Sequence, residues 1–351
     1  MSAKKARIKD IASLAGVSIG TVDRVLHDRG EVAEETRKRI LKIAGELNYT
    51  PNLIAQVLKS RKRFHLVSLL PEPDDENTFW NKHPLGMTKA MDELNPFPVS
   101  LSQITFDIVN ESDFQEKAES VLKLHPDGLI IAPIFKAESV AFCARLAKEH
   151  IPFIFVDGFI ENTGFLAYVG EDVFRSGRVA GQLTDMITPE EKDILIVNIA
   201  RNVQNIHHLN NRTNGFLNYY ARSGRNRGNK ITLNLPDTTS EKIKTEFEKV
   251  FRINPGISSI FITGSKSYKI AEYLENEKIQ SMNLIGYDLL DKNVEYLRSG
   301  KIKFLISQRP DEQSYKGVRK LFDFLSFNRI PEKMEYLPTD IVTSENVNFF
   351  L

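Results

Sequence analysis

The sequence predicts an α/β protein of two doubly wound parallel-sheet lobes, preceded by a small all-α module of three short helices. Three observations lead there. From residue 64 onward, short apolar runs alternate with helix-length amphipathic segments, the pattern of parallel sheets covered on both faces. The first sixty residues instead carry apolar side chains at helical spacing, with no strand-like run. Charge divides along the same boundary: residues 1 to 63 hold 14 Lys and Arg against 7 Asp and Glu, a net of +7, which leaves −6 for the remainder of the chain. A chain of 351 residues, 41% apolar and 26% charged, is too long for one core and has a globular composition, so several domains are expected.

In the basic segment, Ile8, Ile11, Ala12 and Ala15 mark a first helix, which meets Gly16 at a tight turn. Ser18 is an N-cap for a second helix whose stripe is Val22, Val25 and Leu26. Ile40, Ala44 and Leu47 define a third, with Glu34 and Glu35 in a first turn where the helix dipole favours negative charge. Only Gly16, Val17 and Ser18 separate the first two, the spacing of a DNA-binding helix-turn-helix. If the second helix buries its stripe, Ile19, Gly20, Asp23 and Arg24 lie on the face left for the major groove. A guanidinium there can grip guanine O6 and N7, worth ~1–3 kcal/mol of discrimination. Spacing alone suits a base-reading Arg24 and an ordinary surface arginine alike.

Strands are predicted at Phe64–Leu70, Pro98–Thr105, Gly128–Ile134, Phe153–Val156, Ile194–Ile199, Ile231–Leu235, Ser259–Thr263, Leu284–Tyr287 and Phe304–Ser307. Nearly every gap between them holds an amphipathic helix. About ten strands in this length make two doubly wound lobes.

Several classes are excluded. A single cysteine, Cys143, allows no disulfide framework and no Cys-rich metal site. Ile8 to Val17 is interrupted by Lys9, Asp10 and Ser13, unlike the apolar core of a signal peptide, and no apolar run is long enough to span a membrane. A cytoplasmic location is expected. There is no G-x-G-x-x-G after a strand, no P-loop and no G-x-S-x-G elbow. His207 and His208 are adjacent, so they do not share a helix face as metal ligands would. The expectation is a protein that is not an enzyme, with no cofactor and no metal. The alternatives are a solute-binding receptor or a sugar-processing enzyme without DNA function.

The run Ile8-Lys9-Asp10-Ile11-Ala12, then Ala15-Gly16-Val17-Ser18, Thr21-Val22, Arg24-Val25-Leu26, Thr36-Arg37, Glu46-Leu47-Asn48-Tyr49, Pro51-Asn52 and Ala55 resembles the LacI/GalR family of bacterial transcription regulators. The resemblance continues through Val156-Asp157-Gly158, Val169-Gly170-Glu171-Asp172, Gly177-Arg178, Ala180-Gly181, Arg212 with Gly215-Phe216, Ile285-Gly286-Tyr287-Asp288 and Ser307-Gln308-Arg309-Pro310. It implies a headpiece over 1–50, a hinge helix or linker over 51–63, and an effector-binding and dimerisation domain over 64–351 with a type I periplasmic-binding-protein fold. It implies DNA contacts from Ile19, Gly20, Thr21, Asp23, Arg24, His27, Thr36, Asn52 and Ala55, with Leu58 wedging into the minor groove. Phe79 and Trp80 become an aromatic platform for an effector, though the pair also suits a loop packing its own rings. Asp157, Arg212, Asp288 and Gln308 become the polar contacts of that effector.

The chain departs from the family pattern at several positions. Asp23 stands where Ser is usual, His27 where Asn is usual, and Ala33 removes the usual Ser cap of the third helix. Gly158 replaces a frequent Arg, and Thr263-Gly264-Ser265 replaces an Asn-Asp pair. The resemblance implies a repressor-like regulator that binds a palindromic double-stranded DNA operator, controlled by a small carbohydrate effector. The tail Val347–Leu351 lacks leucine heptads, so a homodimer is expected rather than a coiled-coil tetramer.

Overall fold

A computed structural model describes residues 6–26, 30–47, 49, 62–73, 79–199, 207–224, 228–236 and 238–351. The chain divides into two compact units, one through Lys62 and one from Arg63 to Leu351.

Among its described residues the first unit holds three helices, α1 (Ile8–Ala15), α2 (Ile19–Leu26) and α3 (Glu34–Glu46). Gly16 closes α1 in the left-handed conformation, φ 65°, where a Cβ would add strain. Ser18 then opens α2, its Oγ accepting from the Thr21 amide at 3.1 Å, as an N-cap should. Ala33 gives α3 no side-chain cap. Ile11, Ala15, Val22, Val25 and Ile40 form a small core, with Tyr49 packed at its edge. The hinge expected at residues 51–63 lies almost wholly outside the described residues.

In the second unit, β1 (Phe64–Pro71), α4 (Lys82–Leu94), β2 (Val99–Phe106), α5 (Glu111–Lys123), β3 (Gly128–Ile131), α6 (Lys136–Lys148), β4 (Phe153–Val156) and β5 (Ala167–Gly170) alternate to build the first lobe. The chain then crosses over. α7 (Val173–Ile187), β6 (Asp193–Ile199), α8 (His207–Ser223), β7 (Lys230–Leu235), α9 (Ser240–Ile253), β8 (Ile257–Ile262), α10 (Ser267–Asn276), β9 (Asn283–Tyr287), α11 (Asp291–Arg298) and β10 (Ile302–Ser307) build the second. α12 (Pro310–Phe327) returns to the first lobe, and β11 (Met334–Tyr336) and β12 (Asp340–Val342) complete one sheet each.

Both sheets have six strands, in the orders β11-β5-β4-β3-β1-β2 and β12-β10-β9-β8-β6-β7. The orders are equivalent, so β4 occupies in the first lobe the place of β9 in the second. Pairing is parallel throughout except between β10 and β12. Because the chain passes between lobes after β5, after β10 and after β11, residues just beyond those strands sit at the boundary of both. Three strands are additional to those expected. β5, β11 and β12 are four, three and three residues long, too short to show an apolar period. The strand expected to reach Ile134 stops at Ile131.

Candidate functional site

The loops that leave the C-terminal ends of the strands meet between the lobes, the usual ligand position of an open α/β sheet. Asp157 follows β4 and Asp288 follows β9, at equivalent places in the two sheets. Both adopt a left-handed backbone, with φ 65° and 68°, a conformation that non-glycine residues hold only when their surroundings enforce it. The surroundings are visible for Asp157: its amide donates to Gln313 Oε1 on α12 at 2.7 Å. Gln313 in turn donates to the Gln308 carbonyl at 2.9 Å, and Gln308 Nε2 reaches both Asp288 oxygens, at 2.9 and 3.0 Å. A chain of amides thus links the two aspartates across the lobes.

Arg212 projects from α8 and is 3% exposed. Gly177 on α7 allows α8 this close, since a Cβ there would collide with the Arg212 carbonyl. The guanidinium donates through Nε and Nη2 to Glu171 Oε1 and through Nη1 to the Thr263 carbonyl at 2.7 Å. It also lies 3.8 Å from the centre of the Tyr287 ring, a cation–π contact in a desolvated setting. Tyr287 is fixed in turn by Ser176 at 2.6 Å. Burial by itself would lower the Arg212 pKa, but Glu171, with Tyr287 and Asp288, drives it up, so the group stays charged.

The aspartates behave differently. Burial raises the Asp157 pKa to about 6, with Arg212 opposing and Glu171 adding to the rise. Burial raises that of Asp288 to about 7, against the pull of Arg212 and Gln308. Both therefore titrate near neutrality, in a place where charge is only partly compensated.

A small cavity of about 20 Å³ adjoins Asp288 and is lined by Phe79, Lys82, Leu290, Ser307 and Pro310. It is smaller than the ~300–1,000 Å³ of sites for drug-sized molecules. Phe79 stands at this cavity. Trp80 does not line it: at 4% exposure it packs in the first-lobe core, stacked on His83 with ring centres 5.0 Å apart and 19° between planes. The expectation of a Trp80 face open to an effector is corrected by this stack, because the neutral imidazole occupies that face. Burial holds the His83 pKa down at about 3, so the ring stays uncharged, and its Nδ1 pairs with Ser314 Oγ at 2.6 Å.

Sequence reading missed Glu171. It precedes Asp172, and two consecutive acids before a helix read as capping residues. Only Asp172 caps α7, accepting from the Arg175 amide at 3.0 Å. Glu171 is left to hold Arg212.

In the first unit, α2 exposes Ile19, at 52%, together with Gly20 and Arg24. Arg24 Nε donates to the Gly20 carbonyl at 3.2 Å. Thr21 Oγ1 lies 2.9 Å from Ser18 Oγ, and Thr36 on α3 is half-buried. Asp23 departs from the expected open face. It is half-buried, and its charge adds to burial in raising the Tyr49 pKa, so it faces the core edge beside Tyr49 rather than open solvent. His27, Asn52, Ala55 and Leu58 lie outside the described residues.

Residues 7–52 match the model of the bacterial regulatory proteins of the lacI family, and residues 68–329 match that of the periplasmic binding protein domain. The HTH-type transcriptional regulator DegA of Bacillus subtilis is 34% identical over 150 residues, 42% of each chain. The aligned part thus spans less than half of that relative's length. The ribose operon repressor of Lactococcus lactis is 29% identical over 296 residues, 80% of each chain. Among solved structures, a chain described as a LacI transcriptional regulator from Bacteroides fragilis superimposes with a TM-score of 0.73 and 27% identity, covering 82% of this chain and 99% of that one.

Proposed function

Since the chain belongs to the periplasmic binding protein domain family through residues 68–329 and to the lacI-family regulators through residues 7–52, we propose that it is a sequence-specific DNA-binding transcriptional regulator, acting as a repressor under control of a small carbohydrate effector. One observation carries this reading. The same chain holds a three-helix module with the Ile19, Gly20 and Arg24 face of α2 open and a two-lobed cleft whose strand ends gather Asp157, Arg212, Asp288 and Gln308.

In this reading Arg24 leaves the Gly20 carbonyl to take a guanine edge, while Thr21, Thr36 and the basic surface hold phosphates. Leu58 and its neighbours act at the minor groove. The effector sits between the lobes, and its preference for one lobe arrangement sets the operator affinity. It can shift that affinity only by its own differential affinity for the two arrangements, typically ~1–3 kcal/mol. Two chains pair so that two headpieces meet a palindromic operator.

The test is selection from a random duplex pool by the full-length protein, repeated in the presence of a carbohydrate panel. Enrichment of one motif, whose retention changes with one sugar class, is the expected result. Recovery of unenriched sequence at low salt would overturn the reading.

A further inference from the structure

Among the described residues, charge in the cleft is unbalanced. The charge of Glu171 raises the proton affinity of both Asp157 and Asp288, and the guanidinium of Arg212 opposes that rise. Arg212 already donates to Glu171 and to the Thr263 carbonyl. Lys82, half-buried on α4, lines the outer cavity beside Asp288 and forms no ion pair with the described residues. Among the described residues, Glu171 and Arg212 form the one ion pair within this group of five. Two of the three carboxylates also keep unfilled acceptors. The carboxylate of Asp157 takes no hydrogen bond from a described residue, and Glu171 Oε2 is buried without a partner. Beside Asp157, Gly158 leaves open space, since a Cβ there would meet no atom within 4 Å.

A neutral hydroxyl group would supply donors to these oxygens but no charge. The half-buried Asp157 and buried Asp288 carboxylates form no ion pair among the described residues, a costly arrangement for a charge withdrawn from water. A metal ion does not fit, because no group of three acidic, His or Cys side chains converges as a cation site among the described residues. We infer that the effector held between the lobes carries a protonated amine on a hydroxylated ring, seated beside Gly158 against Asp157 within reach of Asp288. This rests on the effector-controlled reading above and names the chemistry of that effector. The near-neutral titration of both aspartates expresses the same deficit: protons occupy the place that the ligand cation takes.

The experiment is isothermal titration calorimetry on the full-length protein at about pH 7.5, well above the ordinary carboxylate range. The ligands are glucosamine, galactosamine and mannosamine, each beside its parent hexose and its N-acetyl derivative. At least one free amine is expected to bind at least about tenfold tighter than both of its neutral counterparts, a difference of ~1.4 kcal/mol. That preference should shrink at about pH 5.5, where the aspartates take up protons. Gly158→Arg, which places a guanidinium in the open space beside Asp157, should reverse the preference toward the neutral hexose while leaving the fold intact by circular dichroism. Asp157→Asn should abolish it. Equal or tighter binding of the neutral counterparts, no binding of any amine at millimolar concentration, or a preference unchanged in Gly158→Arg would each overturn the inference. Binding of a neutral hexose with altered DNA retention would do so while leaving the regulator reading standing. Loss of sequence-selective DNA binding would sink the latter alone.

Discussion

Arg212 and Glu171 compensate each other in a setting that excludes water, so removing one leaves the other buried and charged. Arg212→Ala is expected to destabilise the second unit by ~3–5 kcal/mol in urea denaturation, and adding Glu171→Gln should recover much of the loss. If the single variant unfolds at the wild-type midpoint, the pair is not the anchor described above. The aspartates give a pH signature of opposite sense to the usual salt-bridged carboxylate. The folded Asp288 has a pKa near 7 against an ordinary 3.8, so it favours the folded state while protonated. That contribution is complete below about pH 4 and lost as pH rises through 7. Asp288→Asn should therefore flatten the decline of Tm over this interval in calorimetry of the unliganded protein, and an unchanged slope would contradict the assignment. Asp157, Arg212, Asp288 and Gln308 could be named from the sequence because each falls in a stretch that resembles the family pattern. Glu171 could not, because pairing with a residue 41 positions away leaves no local pattern. Trp80 was misplaced for a related reason: an aromatic among polar neighbours reads as exposed, and only packing shows His83 against its face.

At the level of single elements, α2 was legible because a turn glycine, an N-cap serine and a one-sided stripe are all local signals. What they leave on the open face can be tested directly. Arg24→Ala is expected to relax base preference at one position of each half-site by ~1–3 kcal/mol while largely preserving non-specific binding, measured by competition gel shift with single-base operator variants. A uniform loss across all duplexes would instead make Arg24 a phosphate contact. The α7–α8 pair carries a steric test. Gly177→Ala forces a methyl group into the Arg212 carbonyl, so it should cost ~1–3 kcal/mol as overpacking does and should disturb the guanidinium as well. Thermal unfolding would report it. The short strands β5, β11 and β12 escaped prediction because three or four residues hold too little periodicity. Their pairing with β4, β5 and β10 depends on neighbours distant in sequence.

For the whole molecule, the basic head and acidic remainder separate two tasks along one chain, and pairing of two chains would impose two-fold symmetry on the target. Binding-site selection is accordingly expected to return inverted repeats with a fixed half-site separation, and a lone asymmetric site would refute pairing on DNA. Two of the three passages between lobes are tied together at Arg309, which donates to Asp340 at 2.7 Å and to Glu312 at 2.8 Å, joining the second passage to the third. The sequence by itself determined the three-helix head and the alternation that makes two parallel-sheet lobes, because helix period, capping and apolar runs are properties of neighbours along the chain. The polar residues at strand ends were marked by resemblance to the family pattern. Only the tertiary structure decided that Glu171 holds Arg212, that Trp80 is covered and that two aspartates share an undercompensated cleft. Burial and Coulomb energy depend on distances in space, and the chain crosses between lobes three times before those distances exist.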